Sequence, residues 1–177
     1  MLAELDGGPA ALRGNNGENK SFRLLAPVAK VLLETRPAFR WEALPDADGY
    51  RVFVLNGQGR EVAASPDLPA TKTVWQPATP LPAGATYTWA VVALVAGKEV
   101  VAPAAASPEV KFHLLAAEQA RTLIAGRRKT RSPLALGIMY ARAGLLAEAE
   151  RELQLFLRQQ PHSETARKLL RQVQSWH

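Results

Sequence analysis

At 177 residues and 19.2 kDa the chain suffices for one ordinary domain or two small ones, and for burying about two thirds of the surface its unfolded form exposes. With 47% apolar and 21% charged residues it is neither a disordered tail nor a membrane span, since no stretch of about 18 residues runs without a charge or proline. The lack of cysteine excludes disulfide frameworks, thiol nucleophiles and cysteine-ligated zinc, iron-sulfur or redox centres, and leaves the compartment open.

The start, Met1-Leu2-Ala3-Glu4-Leu5-Asp6-Gly7, has no basic segment followed by an apolar core, so no signal peptide is visible. Two expectations stay open. The protein is cytoplasmic, or it is a piece of a longer periplasmic or envelope-associated protein anchored upstream. Residues 1–20 read as a tail or an extra strand. Within them Gly14-Asn15-Asn16-Gly17-Glu18-Asn19-Lys20-Ser21 nearly spells a phosphate-binding loop. Asn19 stands where glycine is needed, and Phe22 to Leu25 leads to Pro27 instead of opening a helix, so a polar loop is expected there. Asn19-Lys20-Ser21 is also a glycosylation sequon.

Short strands then follow between turn residues, at Phe22 to Leu25 and Ala38 to Ala43. Asp46-Ala47-Asp48-Gly49 resembles the opening of a calcium loop, but a strand continues it and no chelating glutamate lies in register. A turn is the expectation. In Tyr50-Arg51-Val52-Phe53-Val54-Leu55 the side chains of Tyr50, Val52 and Val54 share one face, and Asn56-Gly57-Gln58-Gly59 supplies a hairpin into Arg60-Glu61-Val62. Thr73 to Gln76, the long run Thr86 to Leu94, a turn at Gly97 and Glu109 to Leu114 complete the set. This spacing predicts an antiparallel sandwich.

Pro37-Ala38-Phe39-Arg40-Trp41, Asp48-Gly49-Tyr50-Arg51-Val52 and Leu81-Pro82-Ala83-Gly84-Ala85-Thr86-Tyr87-Thr88-Trp89 carry a resemblance. They are similar to the fibronectin type III family, with a tryptophan on the second strand, a tyrosine opening the third and a Leu-x-x-Gly-x-x-Tyr corner entering the sixth. The resemblance spans about residues 21–114. It implies an immunoglobulin-like sandwich that serves as an adhesive or spacer module without catalysis.

Near Leu114 to Ala116 the composition shifts. Residues 1–114 hold 11 basic and 11 acidic side chains and 11 of the 13 prolines, whereas residues 115–177 hold 11 basic against 5 acidic. Apolar residues now recur every three or four positions. Helices are expected over Ala116 to Ala125, over Pro133 to Gly144, over Leu145 to Arg158, and from a cap at Ser163 to Gln174. Gly137 and Ala149 are small where the middle pair would cross closely. Leu136-Gly137, Tyr140, Gly144, Ala149, Leu153 and Pro161 resemble one tetratricopeptide repeat (TPR) over about residues 130–163, departing from that pattern at Pro133 and Phe156. A lone repeat cannot bury its faces, so the flanking helices should complete a short TPR-like array over residues 115–177.

The expected fold class is thus all-β plus all-α, a fibronectin type III-like sandwich over 21–114 followed by that helical array. Candidate chemistry is sparse. His113, His162 and His177 show no metal-ligand spacing, no nucleophile elbow is present, and the carboxylates scatter over turns, so no catalytic, metal or cofactor residue is assigned. Arg127-Arg128-Lys129-Thr130-Arg131, with Arg167, Lys168 and Arg171, lacks interleaved aromatics, which favours a solvated helix face over nucleic-acid binding.

Two surfaces are candidates for binding. If Tyr87, Trp89, Val91 and Ala93 point inward, then Phe53, Leu55, Ala90, Val92 and Leu94 form one outward apolar patch, expected to receive the C-terminal helices or, second, a partner protein. The TPR resemblance implies a peptide groove lined by Arg131, Leu134, Ile138, Ala141 and Arg142. Leu134 and Ile138 are apolar where carboxylate-clamping members carry polar residues, so an extended or helical apolar segment fits better. The expected function is a non-enzymatic protein interaction or assembly module, as part of a bacterial envelope-associated or multi-protein system. The alternative is a carbohydrate or envelope-polymer binder in which Trp75 would stack on sugar.

Overall fold

The computed structural model describes residues 22–176. Among them lie ten strands and four helices: β1 (Leu24–Ala26), β2 (Lys30–Leu32), β3 (Phe39–Trp41), β4 (Gly49–Asn56), β5 (Glu61–Ala64), β6 (Leu68–Pro69), β7 (Val74–Trp75), β8 (Thr86–Val95), β9 (Lys98–Ala102), β10 (Lys111–Leu114), α1 (Ala117–Lys129), α2 (Pro133–Arg142), α3 (Leu146–Gln159) and α4 (Glu164–Gln174). They divide into two compact units. One comprises residues 22–29 and Glu34–His113, the other Lys30–Leu33 and residues 114–176.

The first unit is a fibronectin type III-like sandwich. A three-stranded sheet of order β1-β3-β7 faces a larger one of order β10-β8-β4-β5, in which β6 pairs with the start of β4 and β9 with the end of β8. Alternation builds it. On β8, Tyr87, Trp89, Val91, Ala93 and Val95 are buried, and on β4 Tyr50, Val52 and Val54 are buried beside exposed Arg51. The rings of Phe39, Trp41, Tyr50, Tyr87, Trp89 and Phe112 fill the space between the sheets, with Phe39 5.0 Å from Trp89 and 5.7 Å from Phe112.

The turns follow their residue chemistry. Asn56 Oδ1 accepts from the N–H groups of Gln58 and Arg60, and Gly59 takes the positive φ that closes the β4–β5 hairpin. Ala96 and Gly97, both with positive φ, form the two-residue link from β8 to β9. Strand β9 is absent from the sequence expectations, although Val100 and Ala102 alternate inward. Leu81 is buried, Gly84 has a φ of 77°, and the Tyr87 hydroxyl donates to the Pro82 carbonyl at 2.6 Å, which ties the chain entering β8 to the sheet below.

In the second unit four helices surround Leu115, Leu123, Tyr140, Leu145, Ala149, Leu153 and Val173. Ser132 caps α2 by accepting from Ala135 N–H, with Pro133 at the first helical position, and Ser163 caps α4 by accepting from Ala166 N–H. The α2–α3 turn is a Schellman closure. Gly144 has a φ of 74°, its N–H reaches Ala141 O, and Leu145 N–H reaches Tyr140 O at 3.0 Å. Small residues set the crossing distances. A Cβ on Gly137 would stand 2.8 Å from Leu153 Cγ, and one on Gly126 would overlap the methyl end of Met139. Helix α1 therefore continues past Ala125, because Gly126 is a packing notch and not a stop.

This unit also includes Lys30–Leu33, from within the range that the sequence resemblance gives to the sandwich. Val31 and Leu33 pack against the helical core, and Leu115 N–H donates to Leu32 O at 2.9 Å. A three-residue strand leaves too short an alternation to be read as an element.

Three measurements follow from this packing. The buried indole of Trp89 donates to Pro27 O at 2.8 Å, while Trp41 Nε1 is buried with no hydrogen-bond partner among the described residues. Trp89→Phe orphans a carbonyl and Trp41→Phe removes an unsatisfied donor, so the former should cost about 1–3 kcal/mol more in urea unfolding. Burial pushes the Tyr87 phenol above its ordinary pKa. The neutral phenol is thus favoured in the folded state, and its contribution is full below about pH 10 and lost as pH rises through the folded value. Tyr87→Phe should cost about 1 kcal/mol at neutral pH and flatten the loss of melting temperature above pH 10. A Cβ on Gly144 would meet Val31 Cγ2 at 3.2 Å at a positive φ. Gly144→Ala should accordingly lower helical stability by about 1 kcal/mol, read from the thermal melt of the helical circular dichroism.

Candidate interaction surfaces

Strand register brings the five patch residues to one face of the larger sheet. Phe53 pairs with Ala90 on one side and Ala64 on the other, Val92 lies between Arg51 and Val101, and Leu94 lies between Gly49 and Glu99. Leu94 is 43% exposed, Val92 is buried at 8%, and Phe53, Leu55 and Ala90 are half-buried. Charged groups rim this apolar centre. Arg51 donates to Asp67 through Nε and Nη2, Lys111 Nζ lies 3.2 Å from Glu109, and Glu99 stands opposite Leu94. Val101 belongs to the same face. Sequence reasoning missed it with β9, although a period-two reading of Glu99 to Ala102 could have found it.

The groove residues separate by depth. Leu134 and Ala141 are half-buried and pack against the helical core, Ile138 is half-buried, and Arg142 is exposed at the end of α2. Arg131 lies between α1 and α2, exposed. What reaches solvent on this side is thus chiefly the two guanidinium groups with Ile138 between them.

Arg127, Arg128 and Lys129 form the last turn of α1, where cations complement the partial negative charge of the helix end. All three are exposed, as is Arg131, and among the described residues none of the four has an ion pair. Ile124, one turn back, is 43% exposed.

The remaining polar signals resolve into local structure. Asp46 has a φ of 63°, Ala47 N–H bonds Leu44 O, and Asp48 Oδ2 accepts from Ala96 N–H at 3.0 Å, so Asp46 to Gly49 is a turn tied to the β8–β9 link. His113 Nδ1 lies 3.1 Å from Thr86 Oγ1, and His162 is exposed in the α3–α4 turn. Among the described residues no three His, Asp or Glu side chains gather as a metal site, and no helix is long and apolar enough to cross a membrane. Arg23 holds the Glu42 carboxyl below its ordinary range by direct hydrogen bonds, and Glu42 in turn raises the guanidinium. Arg23 directly precedes β1 and Glu42 directly follows β3. Residues 1–20, the loop Gly14 to Ser21 with its sequon, and His177 lie outside the described residues.

Trp75 does not form the open aromatic pair that sugar stacking needs. Its coplanar partner is Phe39, 5.6 Å away at 28°, and Phe39 is fully buried. One face of the indole is therefore taken up by the core.

No family model matches the chain, and no curated protein matches it. Among solved structures it is similar to a two-domain fibronectin type III segment of chicken tenascin, at 21% identity and a TM-score of 0.38, over 54% of this chain and 47% of that one. It is similar to the fibronectin type III domain of the human collagen alpha-1(XX) chain, at 19% identity and a TM-score of 0.41, over 59% of this chain and 91% of that one. It is also similar to CopC from Methylosinus trichosporium OB3b, at 13% identity and a TM-score of 0.39, over 55% of this chain and 96% of that one. The chain spans about half the length of the tenascin segment, and each likeness covers just over half of the chain itself.

Proposed function

We propose that the chain is a non-catalytic protein-interaction module whose sandwich offers the outer face of its larger sheet to a partner protein. The observation that carries this reading is Leu94. A large aliphatic side chain stands 43% exposed among half-buried Phe53, Leu55 and Ala90, inside a rim of charged residues. An apolar centre with a polar rim is the anatomy of a protein interface. A catalytic reading finds no comparable support, because the perturbed groups are an exposed ion pair flanking β1 and β3 and a tyrosine that fixes a corner.

The helical unit supports the same reading at a finer level. Its α2–α3 pair crosses at Gly137 against Ala149 and Leu153, which is how a tetratricopeptide hairpin brings its helices together, and α4 shields one side. In this reading α4 acts as a capping helix. It buries Ala166 and Val173 while Glu164, Arg167, Lys168, Arg171 and Gln174 face water. Arg131, Ile138 and Arg142 then form the accessible part of the groove, with Leu134 and Ala141 as its floor.

Leu94→Glu tests the principal surface, because an exposed position should tolerate the change within about 0.5 kcal/mol. A photoreactive benzoylphenylalanine introduced at Leu94 should yield a discrete protein adduct in the native host, and the same group at exposed Thr79 should not. Adducts at neither position, or equal adducts at both, would remove the sheet face as a binding surface.

A further inference from the structure

The corner at the end of α1 is a second surface of different chemistry, and we infer that it docks an acidic segment of a partner protein that carries one apolar side chain. This extends the protein-binding reading and stands on residues of the other unit.

Four cations fall within five consecutive residues, Arg127, Arg128, Lys129 and Arg131, and none has a carboxylate partner among the described residues. Some acids of the helical unit already have partners, Glu152 lying 4.0 Å from Arg151. Glu118 pairs with Arg121 at 3.0 Å, and Glu150 Oε1 accepts from the side-chain amides of Gln154 and Gln174. The helix end rewards cations there by about 0.3–1 kcal/mol each, but crowding like charges in one turn opposes that gain, so the folding of α1 does not by itself call for four. A partner carboxylate would relieve the repulsion.

The apolar part of the surface is Ile124. Leu123 is buried, Ala120 packs against the core, and Gly126 admits Met139, which fixes the inward face of α1. Ile124 lies off that face with 43% of its surface exposed, and Arg121 and Arg128 stand one turn to either side of it. An aliphatic side chain set among guanidinium groups fits a segment in which carboxylates flank a leucine or phenylalanine.

The same features disfavour other polyanions. Helix α1 has no aromatic side chain for stacking on bases, and Arg127 to Lys129 span about 3 Å of helix rise, a cluster and not a stripe along a phosphate backbone. A helix lying in a lipid surface needs a broad outward apolar face, and here a single isoleucine stands out among exposed Arg121, Arg127 and Arg128.

The test uses the full chain and a fluorescein-labelled twelve-residue peptide of alternating Glu and Gly with a central Leu, read by anisotropy. The peptide should bind, and its affinity should fall with added salt. Arg127→Gln with Arg128→Gln should weaken binding by about tenfold, and Ile124→Ser by a few-fold, with the thermal melt unchanged. Replacing the peptide's Leu by Ser should reproduce the Ile124→Ser loss. No binding, or binding indifferent to all these changes, overturns the inference. So does a DNA duplex or a phosphatidylserine vesicle that binds more tightly than the peptide and shows the same losses. Adducts at Leu94 are unaffected by any of these results, so failure at this corner and failure of the sheet face are distinguishable.

Discussion

The ring of Phe39 joins the two sheets of the sandwich. It is fully buried, stands 5.0 Å from Trp89 and 5.7 Å from Phe112 on the larger sheet, and stacks on Trp75 within its own. Aromatic pairs at these separations add roughly 0.5–1.5 kcal/mol each beyond area burial. The cluster also fixes register, because a one-residue slip of β8 would send Tyr87 and Trp89 outward and bring Thr88 and Ala90 in. That register decides what the larger sheet shows to solvent. Phe53, Leu55, Val92 and Leu94 share the outer face, with Leu94 the exposed member and Val92 buried, because their sequence neighbours are committed to the core. Trp75 is withheld from a surface role for the same reason, with one face of its ring against Phe39.

The helical unit rests on a different constraint, the closeness of backbones. Leu153 and Ala149 O leave no room for a Cβ on Gly137, and the flexible end of Met139 fills the space over Gly126. Gly144 both ends α2 and faces Val31. A single hairpin has too little apolar surface to hold itself, and the unit supplements it with α1, α4 and the short segment Lys30–Leu33, whose Val31 and Leu33 lie on the core. The chain therefore contributes to this unit from two places far apart in sequence. Loss of the segment would expose helix surface that no other described element of the unit replaces.

Much of this was legible in the sequence, and the misses have physical causes. The alternations on β4 and β8 could be read because period two persists over eight and ten residues with a buried face. The corner at Leu81, Gly84 and Tyr87 could be read because each residue has a separate job there: packing, positive φ and a hydrogen bond. The caps at Ser132 and Ser163 could be read because cap chemistry is local. Strand β2 could not, since three residues define no period and the burial of Val31 depends on Gly144 far along the chain. Strand β9 was hidden by its charged start, Lys98-Glu99, and by Pro103 directly after it. Helix α1 was cut short because a glycine in a helical run looks like a stop, whereas Gly126 serves the helix packed against it.

Charge and apolar surface are distributed by the same logic. In the sandwich the strand faces are set by alternation, acids and bases balance, and some exposed ions pair, as Arg23 does with Glu42 and Arg51 with Asp67. That pairing leaves an uncharged apolar centre suited to shape-driven contact. In the helical unit bases outnumber acids, Glu118 pairs with Arg121 on α1 itself, Glu150 accepts from Gln174, and among the described residues the cations at the end of α1 have no ion pair. The recognition proposed there would be electrostatic in reach and apolar only at Ile124. The two proposed surfaces would therefore differ in their dependence on salt: added salt should screen the corner on α1 and leave the sheet face largely indifferent.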